Sequence, residues 1–205
     1  MSGLSIASQL AQARPGTNVL FVAIELCTLA FRLDELTKAN IIATSLFGDG
    51  AAAAVLRAGD GGEVEIEGMG EHLWPDTLDI MGWKVDPEGF GVILRRSIPA
   101  FVTANMNSAV TGILKRMNLK LEDVERLVCH PGGAKVVNAL ESAFSLNQGT
   151  LDHERHVLAN FGSMSAPTVL FVLERVLADR TMHRLLLTSL GPGFTASCVA
   201  MRRAA

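Results

Sequence analysis

Val128-Cys129-His130-Pro131-Gly132-Gly133 decides how this chain is read. An apolar run ends on a histidine, and a proline and two glycines follow at once. The preceding segment, Leu121 to Val128, reads as a short polar helix feeding a strand. The imidazole then stands at the carboxyl end of that strand, where open α/β sheets place their ligands. The Gly-Gly turn lets backbone approach a ligand closely, and an imidazole exchanges a proton near neutral pH. The same residues also suit a histidine that only satisfies a loop, and the local sequence leaves both readings open.

Working outward, the spacing predicts a helix over Ala134 to Phe144, another from about Ser165 to Leu177, and paired strands Leu185 to Ser189 and Thr195 to Met201. Upstream, Pro99 opens a long helix from Ala100 to about Met117, and Glu63 to Glu67 alternates as a strand with one wet face. Earlier still come a helix over Ser2 to Ala13, ended by Arg14-Pro15-Gly16, and a strand Val19 to Ile24. Leu46-Phe47-Gly48-Asp49-Gly50 makes a tight turn into a small-residue strand, Ala51 to Leu56. Helices and strands thus alternate, which is the α/β pattern, and no linker divides the chain.

The order helix, strand, Gly turn, strand occurs twice. Ser2 to Ala13, Val19 to Ile24 and Gly48-Asp49-Gly50 correspond to Ser165 to Leu177, Leu185 to Ser189 and Gly191-Pro192-Gly193. Ser2 to Gly48 spans 46 positions and Ser165 to Gly191 spans 26, so the first copy carries 20 more, Cys27 to Leu46. An insertion there suits a loop that reaches a site or a partner subunit. Any α/β chain can also show such an order twice.

Composition narrows the function. The 205 residues are 49% hydrophobic and 19% charged with a formal net charge of -3, so the chain can bury a large core and has no basic excess for nucleic acid. No apolar run reaches a membrane span and the first fifteen residues do not read as an export signal, so the expected setting is cytoplasmic. Cys27, Cys129 and Cys198 are odd in number, far apart and apolar in context, which predicts reduced thiols. Asp152-His153-Glu154-Arg155-His156 reads as a solvated helix start and not as a metal site. Gly48-Asp49-Gly50 lacks the acidic ladder of a calcium loop, and Gly191-Pro192-Gly193 lacks the Lys-Ser/Thr of a phosphate loop.

Taken together, Leu46 to Ala53, His130-Pro131-Gly132-Gly133, Phe161-Gly162-Ser163-Met164-Ser165 with Val169 to Leu173, and Gly191-Pro192-Gly193 resemble the type III polyketide synthases of the chalcone and stilbene synthase kind, in their bacterial branch. The resemblance covers nearly the whole chain. It implies a thiolase-like layered αβαβα fold, here the end of the first half over residues 1–60 and the whole second half over 61–205. It implies an acyltransferase that takes an acyl-CoA starter onto a cysteine, extends it by decarboxylative condensation with malonyl-CoA, uses CoA thioesters as substrates without a tightly bound cofactor, and works as a homodimer.

Residue by residue, the resemblance gives His130 the task of hydrogen-bonding the thioester carbonyl, lowering the cysteine's pKa and stabilising the enolate. Phe47 becomes the aromatic gate between CoA tunnel and cavity, although composition alone would make it a core residue. Cys27, Ala30, Trp83, Val92 and Ser165 fall at cavity-lining positions, with Trp83 and Val92 standing where plant members carry Gly and Phe. Gly132, Gly133 and Lys135 fall where CoA passes, although for Lys135 a solvated helix lysine is the stronger reading on surface composition.

Two departures matter. The family's third catalytic residue is an Asn, and Ser163 stands there; a hydroxyl is shorter than a carboxamide, and loss of one oxyanion donor costs on the order of 10²- to 10³-fold in rate. The nucleophilic cysteine, counted back along the match, falls four positions before Met1. These departures leave a second expectation beside the enzyme: a catalytically inactive thiolase-fold domain with a structural or dimerisation role.

Overall fold

The computed structural model describes residues 1–32, 34–59 and 61–203. In chain order the elements are α1 (Ser2–Ala13), β1 (Asn18–Glu25), a 3₁₀ turn (Cys27–Ala30), α2 (Lys38–Leu46), β2 (Gly50–Arg57), β3 (Val64–Leu73), β4 (Met81–Asp86), β5 (Gly89–Leu94) and α3 (Ile98–Arg116). A second 3₁₀ turn (Leu121–Asp123) leads to β6 (Arg126–Cys129), α4 (Ala134–Ala143), α5 (Asp152–Phe161), α6 (Thr168–Ala178), β7 (Arg184–Gly191) and β8 (Thr195–Arg203).

A four-stranded sheet in the order β3-β8-β7-β6 carries the core. β6 runs parallel to β7, pairing Cys129 with Thr188, while β8 is antiparallel to both β7 and β3. Its centre is covered on both faces, which is why Leu127-Val128-Cys129 and Leu185-Leu186-Leu187 read as continuous apolar runs. Leu186, Leu127, Cys129 and Cys198 face α3 and α4, packing with Val102, Met106, Ile113 and Leu140. Val128, Leu187, Leu185 and Val199 face the other way, onto Leu4 of α1, Val157 of α5 and Val169, Val172 and Val176 of α6. Each such fully buried aliphatic side chain contributes about 1.5–3 kcal/mol. On β3, Gly70 admits α3 closely: a Cβ there would lie 2.9 Å from Ile113 Cγ2.

β1 and β2 form a separate antiparallel pair, from Asn18 opposite Arg57 to Glu25 opposite Gly50. Phe21 turns inward onto α1, where Gly3 has no side chain to meet it. The repeat read from the sequence corresponds to α1-β1-β2 and α6-β7-β8. β4 and β5 make a hairpin closed between Asp86 and Gly89.

Several details depart from the sequence reading. Cys27 to Leu46 is not one extended loop: it holds a 3₁₀ turn and α2, whose N-cap Thr37 accepts the Asn40 N–H. The polar helix expected before β6 is a single 3₁₀ turn, because Val124 is already extended. α6 starts at Thr168 rather than Ser165, since Ser165 has φ +57° and Pro167 precedes the first turn. β4 was hidden by Gly82, which interrupts its alternation. The expected boundary after residue 60 falls on Asp60, outside the described residues.

Candidate active site

The end of α2 delivers Phe47 to a backbone crossing with Ser163, the two forming an isolated parallel bridge. Ser163 N–H donates to the Leu46 carbonyl at 2.8 Å, and Gly48 N–H donates to the Ser163 carbonyl at 3.1 Å. Two glycines make this crossing possible. A Cβ on Gly48 would lie 2.8 Å from the Phe161 carbonyl oxygen, and one on Gly162, at φ +69°, would lie 2.6 Å from the Leu46 oxygen. Asp49 secures the neighbouring segment, accepting the Thr28 N–H at 2.8 Å and the Thr28 hydroxyl at 2.7 Å. That pair holds its carboxyl below the usual range and fastens the turn carrying Cys27 and Ala30 to the start of β2.

His130 follows the last residue of β6. Its N–H donates to the Thr188 carbonyl at 2.8 Å and its own carbonyl accepts from Gly132 at 3.1 Å. A Cβ on Gly132 would lie 3.7 Å from the His130 Nε2, so the missing side chain leaves room beside the ring. Gly133, at φ +148°, caps α4, and a Cβ there would lie 3.8 Å from Leu46 Cδ2. The histidine turn therefore lies near Leu46, the residue that precedes Phe47. Ser163 is buried; His130 and Phe47 are partly buried. Burial first, and the Met1 ammonium second, push the His130 imidazole down to about 4. At neutral pH it is an uncharged ring with one N–H to give.

The remaining expected residues differ in burial. Cys27 and Ala30 are buried. Trp83 and Val92 are cross-strand partners in the β4-β5 hairpin, with Trp83 47% exposed and in T-shaped contact with Phe90. Arg32 ties the hairpin to the segment after the 3₁₀ turn through Asp86 at 2.8 Å. Ser165 is exposed, its carbonyl accepting both the N–H and the hydroxyl of Thr168. Lys135 is exposed in the first turn of α4. Neither Trp83 nor Lys135 shares a hydrogen bond with the Phe47-Ser163 crossing among the described residues.

All three thiols are buried and raised above their ordinary value. Burial is the main cause for each, with Glu154 second at Cys129 and Glu25 and Asp49 next at Cys27, and Cys198 is pushed up to about 12. None of them is a thiolate near neutral pH. No group of three or more His, Cys, Asp or Glu among the described residues is arranged for a metal ion.

One reading of the sequence is overturned here. Glu154, taken as part of a solvated helix start, is wholly buried, and so is Glu141. Glu154 accepts from Arg126 and from the Cys129 N–H, while Glu141 accepts from Arg155 and the N–H groups of Gly149 and Leu151. The signal was present: Leu151, Glu154 and Val157 share one helical face, and the apolar pair places the glutamate inside.

The α/β architecture matches the thiolase-like fold of solved type III polyketide synthases. The C-terminal domain model of chalcone and stilbene synthases matches residues 65–204, and the N-terminal domain model matches residues 1–60. The chain belongs to the chalcone and stilbene synthase family. It is 36% identical over 197 residues to a 1,3,6,8-tetrahydroxynaphthalene synthase of Streptomyces peucetius subsp. caesius, a match covering 92% of this chain and 52% of the relative. It is 30% identical over 203 residues to a 3,5-dihydroxyphenylacetyl-CoA synthase of Amycolatopsis orientalis, covering 95% of this chain and 54% of that one. The crystal structure of the Streptomyces coelicolor A3(2) 1,3,6,8-tetrahydroxynaphthalene synthase, a bacterial type III polyketide synthase, superposes with a TM-score of 0.91 at 27% identity, over 100% of this chain and 59% of that one. The chain thus spans about half the length of the curated relatives it matches.

Proposed function

We propose that this chain carries the histidine side of a type III polyketide synthase acyltransferase site, within a division into residues 1–60 and 61–205. The observation that carries the reading is the docking of the His130 turn, through Gly133 and Leu46, against the Phe47-Ser163 crossing. In the reaction, the bond from the malonyl carbon to its carboxylate breaks and the electron pair enters a thioester enolate. The enolate carbon attacks the carbonyl of an acyl-cysteine, the C–S bond breaks and the thiolate leaves. His130, uncharged at neutral pH, would donate its N–H to the oxygens on which charge develops. Phe47 would present an apolar face that favours loss of the malonyl carboxylate, and Ser163 would offer a shorter hydroxyl where relatives carry an amide.

Under the same reading Cys27, Ala30, Trp83, Val92 and Ser165 line the acyl cavity, and Gly132, Gly133 and Lys135 border the CoA path. The substrates are an acyl-CoA and malonyl-CoA, the assembly a homodimer and the setting cytoplasmic. No helix among the described residues is long and apolar enough to cross a membrane.

The second reading, a catalytically silent thiolase-fold domain, is favoured by one observation: every cysteine of the chain is buried with its thiol raised, so the reactive sulfur must come from outside these residues. The test is incubation with acyl-CoA and radiolabelled malonyl-CoA, on residues 1–205 alone and on a chain extended upstream through a Gly-Cys-x-Ala-Gly segment. Release of labelled carbon dioxide by the extended chain, lost in its His130→Ala variant, is expected. Release that survives that variant sinks the assignment of His130, and no release from the extended chain favours the silent domain.

A further inference from the structure

Glu154 has no part in the reaction above, yet its side chain is 0% exposed. A carboxylate carried into a protein interior is costly unless both oxygens are satisfied. Here both are: Oε2 accepts from Arg126 Nη2 at 2.6 Å, and Oε1 accepts the Cys129 N–H at 2.9 Å. Among the described residues β6 is the last strand of its sheet, and this N–H points away from β7 onto the carboxylate. The next one, on His130, points back and donates to Thr188. The carboxylate stands in for an absent neighbouring strand at one position, directly before the histidine.

A second clamp grips the other side of the same turn. Arg155 donates to both oxygens of Glu141 in α4, at 2.6 and 2.7 Å. Glu154 and Arg155 are consecutive, so the first turns of α5 hold β6 before the turn and α4 after it. The other end of α5 runs through Gly162 into Ser163. One helix therefore links the histidine turn to the Phe47-Ser163 crossing.

We propose that Glu154 is a positioning residue: by anchoring the Cys129 amide it fixes the end of β6 and hence the direction in which the His130 ring is presented. This rests on the reading of His130 as the site's hydrogen-bond donor, and its test reads the ring itself rather than turnover, so the two fail separately. The charged groups around the glutamate are Arg126 on β6, Asp152 at 3.6 Å from that guanidinium, and Arg155 on α5; burial pushes the Glu154 carboxyl above its usual range against the pull of Arg126, and the charge acting on the His130 ring is the Met1 ammonium. Removing a carboxylate's negative charge, taken alone, moves a nearby imidazole's titration down; release of the ring into water moves it up. The sign separates the two effects.

The experiment follows the His130 ring resonances by NMR against pH, with hydrogen exchange at the Cys129 amide, in the full chain and its Glu154→Gln, Glu154→Ala and Ile113→Ala variants. Glutamine keeps an oxygen for the amide, so its ring is expected to titrate as in the parent or slightly lower, with the amide still protected. Alanine is expected to move the titration up towards a free imidazole and to speed the amide's exchange at least roughly tenfold. Ile113→Ala, a core cavity of ordinary kind, is expected to leave the ring's titration in place. An unmoved titration in Glu154→Ala, or an equal rise in Ile113→Ala, overturns the proposal. If Glu154→Ala does not fold, Glu154→Asp replaces it, keeping the charge beside Arg126 while withdrawing the acceptor from Cys129; an upward move supports the proposal and a parental titration overturns it.

Discussion

A neutral imidazole is the central residue-scale fact. Because the folded chain holds His130 at about 4 against an ordinary value near 6.5, the unfolded chain binds the extra proton between those limits and stability falls as the pH drops through that window. The full difference corresponds to about 3 kcal/mol. Urea unfolding at pH 7 and at pH 4.5 should show this loss, and a His130→Gln variant should show a shallower one; equal slopes would remove the histidine from the account. The cysteines belong to the same scale. With Cys27, Cys129 and Cys198 all buried and their thiols raised, a thiol reagent at pH 7.5 is expected to label none of them in the native chain and all three in denaturant.

Among the elements, the α2-β2 and α5-α6 junctions are fixed by backbone crossing rather than by side chains. Gly162→Ala would put a Cβ against the Leu46 oxygen at a residue with φ +69° and ψ −166°, a region essentially reserved for glycine, and should destabilise by at least about 1–3 kcal/mol. Gly112→Ala, in the middle of α3 with nothing within 4 Å of the added methyl, should stabilise by about 0.5–1 kcal/mol. Denaturant midpoints of the two variants should lie on opposite sides of the parent. The positions of α1, α3, α4, β7 and β8 were legible in the sequence because their apolar periods are long and their ends carry Pro, Gly or polar stops. α2 and β4 were not, since nine and six residues with mixed faces give little period to count.

At the scale of the whole molecule, burial is uneven. The centre of the four-stranded sheet is enclosed, whereas the β1-β2 pair leaves Leu20, Val22, Ile24 and Val55 exposed on one face. Contiguous apolar surface with open strand edges favours association. Sedimentation of the 205-residue chain is expected to show mass rising with concentration, and a Val22→Lys, Ile24→Lys variant should suppress this while keeping the same unfolding midpoint. A monodisperse parent at high concentration would show that this face is harmless.

The sequence by itself determined the α/β order, the repeat, and the family through motifs in which each glycine or histidine has a local reason to be where it is. Those reasons act between neighbours in the chain, so they can be read there. Only the tertiary structure decided that Glu154 is an interior anchor and not a solvated charge, that Gly133 meets Leu46, and that His130 stays neutral. Each of these depends on which distant segments exclude water from a group, and desolvation is set by the packed neighbours and not by the residues on either side.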